Sequence, residues 1–424
     1  FPNNGYFAVY FHPPYAERGG FGDHGEAAPG LTEKLLIGKY ALAFQDPVLL
    51  WQAKKIDYDD SYMSRLQVLP EQMDWKEWFV EDVVAVINAA PAGFRPQPPT
   101  ELPRAKWLKD IGWVAMHSAL GDADNDVWVL FKSSRYGSFS HSHADQNSFQ
   151  VNAYGRALLI DSGYYPWYGS PHHTLWTRQT RAHNAVLING RGQASSSMAA
   201  RGTIEHFEQS GNLTVATAEC AGAYNVPPHE EVVAQWKEHL TEPLPPMEPK
   251  ALVVRRTTAL VGEKSRPWIA VHDYLKTDGP AEFDYMLHSL EEMELDQEQG
   301  RVTVRHGDAV LDIFLLCEGE LDFRQSGEFP VAPEERYEGA PEQWHLAAHS
   351  REKTDEIRFL AVMVPRRTNE EPLEVKRLDQ GELRGFQVGR EKVLAWWGEG
   401  EAGGSGRMLI EYYEKGEMKR KWLQ

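Results

Sequence analysis

The chain has 424 residues, more than one ordinary core uses at ~100 to 200 residues per domain, so two or three units are expected. Forty-four Lys and Arg against 62 Asp and Glu leave a formal charge of -18, which argues against general attraction to nucleic acid or an anionic membrane. Cys220 and Cys317 are too few for a disulfide framework and lie in no CxxC pattern, and no apolar run approaches the ~20 residues of a membrane helix. A soluble protein is expected, with the compartment open between cytoplasmic and secreted or periplasmic.

In chain order, the start FPNNGYFAVYFHPPY has neither the basic region nor the cleavage signature of a signal peptide, and the chain is expected to begin inside a larger protein. LTEKLLIGKYALAF, DPVLLWQAKK and PEQMDWKEWFVEDVVAVINAA space their apolar residues by three and four, which predicts helices with Thr32 and Asp46 as starts. A proline-rich linker, PAGFRPQPPTELPRAK, closes a helical unit over 1–106. Beyond it come short β-like runs: GWVAMHSA, DVWVLFK, SFQVNAY, ALLI, NAVLI, LTVATAE, ALVVRRTTALV, PWIAVHDYL and AVLDIFLL. They define a main β unit over 107–330. The charge-rich break QSGEFPVAPEERYEGAPEQ then leads into a C-terminal β-region, 331–424, with IRFLAVMVP, RGFQVG, KVLAWWG and RMLIEYY. No fixed-period repeat is present.

The stretch SFSHSHADQNSF (138–149) concentrates His141, His143, Asp145 and an amide pair just before a strand. SFQVNAY and ALLID read as a hairpin turning at Gly155-Arg156, which would make Gln150 face Asp161 and bring Asp161 out at the same end as 141–147. His183, in TRAHNAVLING, also precedes a strand. Three imidazoles and one carboxylate at strand ends suit a transition metal such as zinc. The competing reading is that these polar residues only cap turns and bond backbone, and no compact zinc signature such as HExxH is present.

The run from Arg135 to Gln193, with YGSFSHSHADQNSFQVNAYGRALLIDSGYY and WTRQTRAHNAVLINGRGQ, resembles the central part of heparinase II/III-like polysaccharide lyases, nearest their exo-acting oligoalginate-lyase-like members. The resemblance implies a mainly β chain with an α-helical N-terminal part: the end of an incomplete (α/α) toroid, a large antiparallel β-sandwich and a smaller C-terminal β-region. It implies a cleft between toroid and sandwich. It also implies that His143, Asp161 and His183 hold a zinc or other divalent ion of largely structural role, and that His141 faces the sugar.

Such lyases cleave 4-linked uronates by β-elimination: the carboxylate is neutralised, a base removes the C5 proton and an acid protonates the O4 leaving group. His141 is the candidate base or carboxylate neutraliser. The acid tyrosine and an amide or arginine partner belong, by the resemblance, to toroid upstream of this sequence, and Tyr6, Tyr10 and Tyr15 carry no motif for that role. GGFGDHGEAAPG resembles a loop bordering the cleft, where His24 either approaches sugar or sits in a solvated turn. Downstream, GYYPWYGSPHHTLWTRQTRAHN offers Tyr164, Tyr165, Trp167 and Trp176 for stacking and His172, His173, Arg178 and Arg181 for carboxylates. His172, Arg178, Trp176 and Tyr165 are the favoured substrate contacts. The expected partner is a uronate polysaccharide or oligosaccharide, alginate-like because few cations flank the motif. A glycosaminoglycan lyase and a non-catalytic carbohydrate-binding module are the alternatives. A glycoside hydrolase lacks its carboxylate-pair motif here. Oligomeric state, a homo-oligomer included, stays open.

Overall fold

The structure, a computed structural model, describes residues 2–24, 29–56, 85, 87–91, 93–163, 168–262, 266–334, 342–397 and 406–423. Three helices come first: α1 (Pro2–Phe11), α2 (Leu31–Phe44) and α3 (Pro47–Lys55). Helix α3 starts where a Pro at the first position needs no hydrogen bond and where Asp46 Oδ1 accepts from the amides of Val48 (2.9 Å) and Leu49 (3.1 Å). The helix expected from PEQMDWKEWFVEDVVAVINAA falls almost entirely outside the described residues.

Five antiparallel strands follow in spatial order, β1 (Ala105–Leu108), β2 (Trp113–His117), β3 (Val127–Lys132), β4 (Ser148–Ala153) and β5 (Arg156–Leu159). Strand alternation lets this sheet serve two cores. Ala115, Trp128 and Leu130 pack with Val9, Phe11, Ile37 and Leu49 of the helices, while Val114, Met116, Val129 and Phe131 point into the sandwich. Every residue of β3 is therefore buried, which explains why its sequence reads as a continuous apolar run.

The rest of the sandwich comprises β6 (Val186–Ile188), β7 (Thr203–Ser210), β8 (Leu213–Glu219), the helices α4 (Ala221–Tyr224) and α5 (Glu230–His239), β9 (Ala251–Val261), β10 (Trp268–Ala281), β11 (Phe283–Ser289), β12 (Glu294–Asp296), β13 (Arg301–His306), β14 (Ala309–Cys317), β15 (Leu321–Ser326), β16 (Trp344–Ser350) and β17 (Thr354–Arg367). An eight-stranded sheet has the order β12-β13-β14-β17-β10-β9-β8-β7, and a four-stranded one the order β15-β16-β11-β6. A C-terminal five-stranded sheet runs in sequence order through β18 (Val375–Gln380), β19 (Leu383–Val388), β20 (Glu391–Trp396), β21 (Met408–Glu414) and β22 (Glu417–Leu423).

The eight-stranded sheet is covered on both faces. In β17, Phe359, Ala361 and Met363 join the sandwich core, whereas Leu360, Val362 and Val364 pack with Phe386, Val393 and Ile410 of the C-terminal sheet. Because β17 pairs with both β10 and β14, and β16 with β11, the sheets run across residue 330. The unit boundary expected at 330/331 thus cuts sheet partners, since a charge-rich loop can connect strands of one sheet as well as two domains. Cys220 and Cys317 are free, buried thiols rather than a pair.

Candidate active site

The site is built on the β4–β5 hairpin. Its turn is Tyr154-Gly155, both with positive φ (57° and 79°), and Ala153 pairs with Arg156. The turn expected at Gly155-Arg156 is one residue late, because a two-residue turn of this kind needs left-handed backbone at both positions. With a bulge after Val151, that residue opposes Leu159, so Gln150 and Asp161 are not directly paired. Asp161 nevertheless leaves the hairpin beside the loop carrying His141 and His143.

That loop is secured from several directions. Asn147, at φ 61°, accepts from Ser133 Oγ (2.8 Å) and donates to the Val254 carbonyl (3.0 Å). Gln146 Oε1 accepts from the Ser134 amide (2.6 Å), while the Gln193 side chain bonds both the amide and the carbonyl of Gln146. The second loop, at His183, is held by Asn184, whose Nδ2 donates to the carbonyls of Phe149 (2.8 Å) and Ile160 (3.0 Å). One buried arginine serves both loops: Arg256 Nη1 donates to the carbonyls of Asn147 (2.7 Å) and Asn184 (2.6 Å).

Two clusters share His143. In the first, ligand atoms of His143, Asp161 and His183 lie within 4.8 Å of one another, and all three residues are buried. His183 Nδ1 donates to Asp161 Oδ2 (3.1 Å). Burial opposes ionisation of Asp161, but His183 and His143 outweigh it and hold its carboxyl below the usual range. Burial likewise disfavours the His183 imidazolium, yet Asp161 prevails and raises its pKa. Two buried ring nitrogens, His143 Nδ1 and His183 Nε2, have no hydrogen-bond partner among the described residues. Two imidazoles, one carboxylate and two orphaned nitrogens buried together fit a zinc-like ion.

In the second cluster Asp23, from the short turn Gly22–His24, reaches the sandwich loops. Its Oδ1 accepts from His143 Nε2 (2.8 Å) and His173 Nε2 (2.9 Å), and its Oδ2 from His141 Nδ1 (2.6 Å). Burial raises the Asp23 carboxyl, but bonds from His143, His173 and His141 overcome this and keep it far below the ordinary range. His141 is the exposed member, with 74% of its side chain accessible and Tyr168 beside its ring at 5.3 Å.

The favoured sugar contacts are placed differently. Trp176 is buried: its ring packs against His288, His345 and Phe329, and Nε1 donates to Ser162 Oγ (2.9 Å). His172 is buried too, with Nδ1 donating to the Val331 carbonyl (2.6 Å), and burial lowers its pKa to about 4. Arg178 turns inward, Nη2 donating to the Ser138 carbonyl (2.8 Å) and thereby tying down the histidine loop. All three are buried and bond to neighbouring segments, at Ser162, Val331 and Ser138, rather than facing outward from the loop. Tyr165, with Tyr164 and Trp167, lies outside the described residues. Tyr168, which the sequence reading passed over, is the half-exposed aromatic beside His141. Asp23 and Arg256 were also missed. The signals were an aspartate set among glycines in GGFGDHG and an arginine inside the apolar run ALVVRRTTALV.

An antiparallel sandwich docked on helices is the fold that the resemblance implied. Residues 100–376 match the family model for the heparinase II/III-like C-terminal domain, and the chain belongs to that family. The fold is similar to that of a heparinase III, the BT4657 gene product (TM-score 0.62, 12% identity, 99% of this chain and 51% of that one). It is also similar to the heparan sulfate lyase HepC from Pedobacter heparinus (TM-score 0.61, 13% identity, 98% and 51%). The chain thus spans about half the length of these solved structures. No curated protein matches its sequence.

Proposed function

We propose that the protein is a polysaccharide lyase that cleaves 4-linked uronate glycosides by β-elimination. The observation carrying this reading is His141: an exposed imidazole fixed through Nδ1 by a partly buried carboxylate, at the junction of the helical part and the sandwich. With Nδ1 engaged, Nε2 is left to meet a sugar, as the base at C5 or as the group that neutralises the carboxylate. His143, Asp161 and His183 would hold a divalent ion, which when bound supplies positive charge and cross-links the two loops. The acid is assigned to none of Tyr6, Tyr10 and Tyr15. Their hydroxyls donate to Asp46, the Pro103 carbonyl and Asp126, and burial pushes the Tyr10 phenol up to about 12. We place the acid in toroid beyond these residues, so that chain 1–424 alone binds oligosaccharide weakly and turns it over poorly.

The uronates we favour carry little sulfate, alginate-like chains among them. The arginines near the motif are already engaged: Arg178 with a loop carbonyl, Arg181 with Glu242 (2.7 Å), and Arg191 with the carbonyls of Pro246 and Pro249. Similarity in fold to proteins described as heparinase III and heparan sulfate lyase supports a second reading, glycosaminoglycan cleavage. Absorbance of unsaturated uronate products, followed on alginate, hyaluronan and heparan sulfate with a protein carrying a whole toroid, separates the two. No product from any of the three would overturn the lyase reading.

A further inference from the structure

We infer that Asp23 is a positioning residue that sets, with one carboxylate, both the tautomer of the sugar-facing His141 and the metal-facing nitrogen of His143. The inference rests on the lyase reading for its catalytic consequence, but its structural content stands alone. Asp23 accepts three imidazole N–H bonds, at 2.6, 2.8 and 2.9 Å, and an ionised carboxylate can only accept. Each partner ring therefore carries its proton on the nitrogen facing Asp23. In His141 this is Nδ1, so Nε2 is a lone pair at the exposed edge of the ring. In His143 it is Nε2, so the buried, unpartnered Nδ1 is the lone pair left for an ion, in a residue whose ligand atom lies within 4.8 Å of those of Asp161 and His183. In His173 it is Nε2, and the consequence is visible in the structure: Nδ1 accepts from the Gly169 amide (3.0 Å).

The arrangement combines two known uses of a carboxylate behind an imidazole. One orients a catalytic histidine and fixes its tautomer. The other orients a metal-ligating histidine through its distal N–H. Here one side chain does both, and it arrives from the helical part, 118 and 120 residues before its partners.

The backbone is shaped for this delivery. The Asp23 amide donates to the His141 carbonyl (3.1 Å), and Gln150 Nε2 bonds the Gly20 carbonyl. Gly22 has φ 73°, and a Cβ there would stand 2.3 Å from the His141 carbonyl oxygen, so only glycine permits the approach.

Nitrogen-15 NMR of the histidine rings in chain 1–424 tests the assignment directly. His141 is expected as the Nδ1–H tautomer and His143 as Nε2–H. Folded wild-type protein with the opposite tautomer at His141 overturns the inference without any variant. Asp23→Asn should then release His141 to the tautomer mixture of a free imidazole. It should also weaken zinc binding, measured by chelator competition, by roughly 10–100-fold. Gly22→Ala, which changes no polar group, should produce the same pair of effects by displacing the turn, and covers the case in which Asp23→Asn does not fold. In a protein carrying a whole toroid, Asp23→Asn should lower kcat by roughly 10²–10⁴-fold with KM within about threefold. Unchanged tautomers and zinc affinity in a folded Asp23→Asn protein overturn the inference. Absence of lyase activity in the wild type, with the tautomer and zinc effects present, overturns the lyase reading and leaves Asp23 in its role.

Discussion

Arg256 and Asp273 form a bidentate ion pair inside the sandwich, Nε to Oδ1 at 2.7 Å and Nη2 to Oδ2 at 3.0 Å, with both side chains almost fully buried. The guanidinium's remaining nitrogen bonds the carbonyls of Asn147 and Asn184, so this pair is the common footing of the two histidine loops. Arg256→Met should cost about 3–5 kcal/mol in denaturant unfolding, because it leaves Asp273 buried without a partner. The Arg256→Met/Asp273→Leu double variant should recover much of that stability but not the zinc affinity, since neither apolar residue anchors the loops. Equal zinc binding in the double variant and the wild type would show that the loops hold their places unaided.

The His143, Asp161 and His183 centre should bind close to one equivalent of a zinc-like ion. Elemental analysis of protein prepared without chelator checks this. His143→Ala should lose the ion and lower the melting temperature. Full occupancy in a triple variant lacking all three side chains would sink the assignment.

His141→Ala, in a protein carrying a whole toroid, should reduce turnover by about 10²–10⁴-fold. Its side chain is 74% exposed and makes no core contact in this fold, so folding and metal content should be preserved. Near-normal turnover by a folded variant would remove His141 from the mechanism.

His306 and Glu17 should give a stabilising contact with a defined pH window. His306 Nε2 lies 2.9 Å from Glu17 Oε1, joining β13 to the segment after α1. The bond to Glu17 raises the His306 pKa against the effect of burial, so its contribution is complete below about 6.5 and fades as pH rises through the raised value. For Glu17, burial raises the pKa but the His306 bond and the Ala157 amide outweigh it. Its contribution is complete above about 4.5 and fades as pH falls through the lowered value. The difference in melting temperature between wild type and His306→Gln should therefore peak between pH ~4.5 and ~6.5. The expected size is about 0.5–1 kcal/mol, that of a partly exposed pair. A difference that is flat from pH 5 to pH 9 would contradict it.

His345 supplies the opposite sign. Neither ring nitrogen has a hydrogen-bond partner among the described residues, and burial lowers its pKa to about 3. A histidine depressed in this way withholds a proton that the unfolded chain accepts, so stability is fully present above pH ~6.5 and drains as pH falls toward 3. His345→Phe, which keeps the ring against Trp176 and removes the two desolvated nitrogens, should raise stability by about 1 kcal/mol and move acid unfolding to lower pH. An acid midpoint unchanged from the wild type would refute this account.

Where the sequence was informative, a local pattern matched a local cause. ALVVRRTTALV coincides with β9 because a run rich in Val and Thr suits a strand, and Asp46-Pro47 marks the start of α3 because cap and proline act within one turn. Strands β11 (FDYMLHS) and β16 (WHLAAHS) were passed over, since histidines at buried positions break the apolar alternation. The histidine loops were legible as a motif, but their supports were not. Asp23 meets residues 118 to 150 positions away, and Trp176, His172 and Arg178 were expected at the sugar because residue type alone does not reveal whether a loop folds inward. An inward fold turns an aromatic, an imidazole and a guanidinium into scaffold.

The two-faced eight-stranded sheet bears on where this fold can be cut. The family match ends at residue 376, two residues into β18, yet Leu213, Val215, Val261, Leu360 and Val362 pack in one cluster with Phe386, Val393 and Ile410 of the sheet that β18 begins. A polypeptide stopped at the family boundary would carry an apolar face with the extent of an entire sheet. It would be expected to self-associate rather than fold alone. The smallest autonomous unit is therefore expected to be larger than the family-matched one, with β18 to β22 covering a face of the sheet that the match contains.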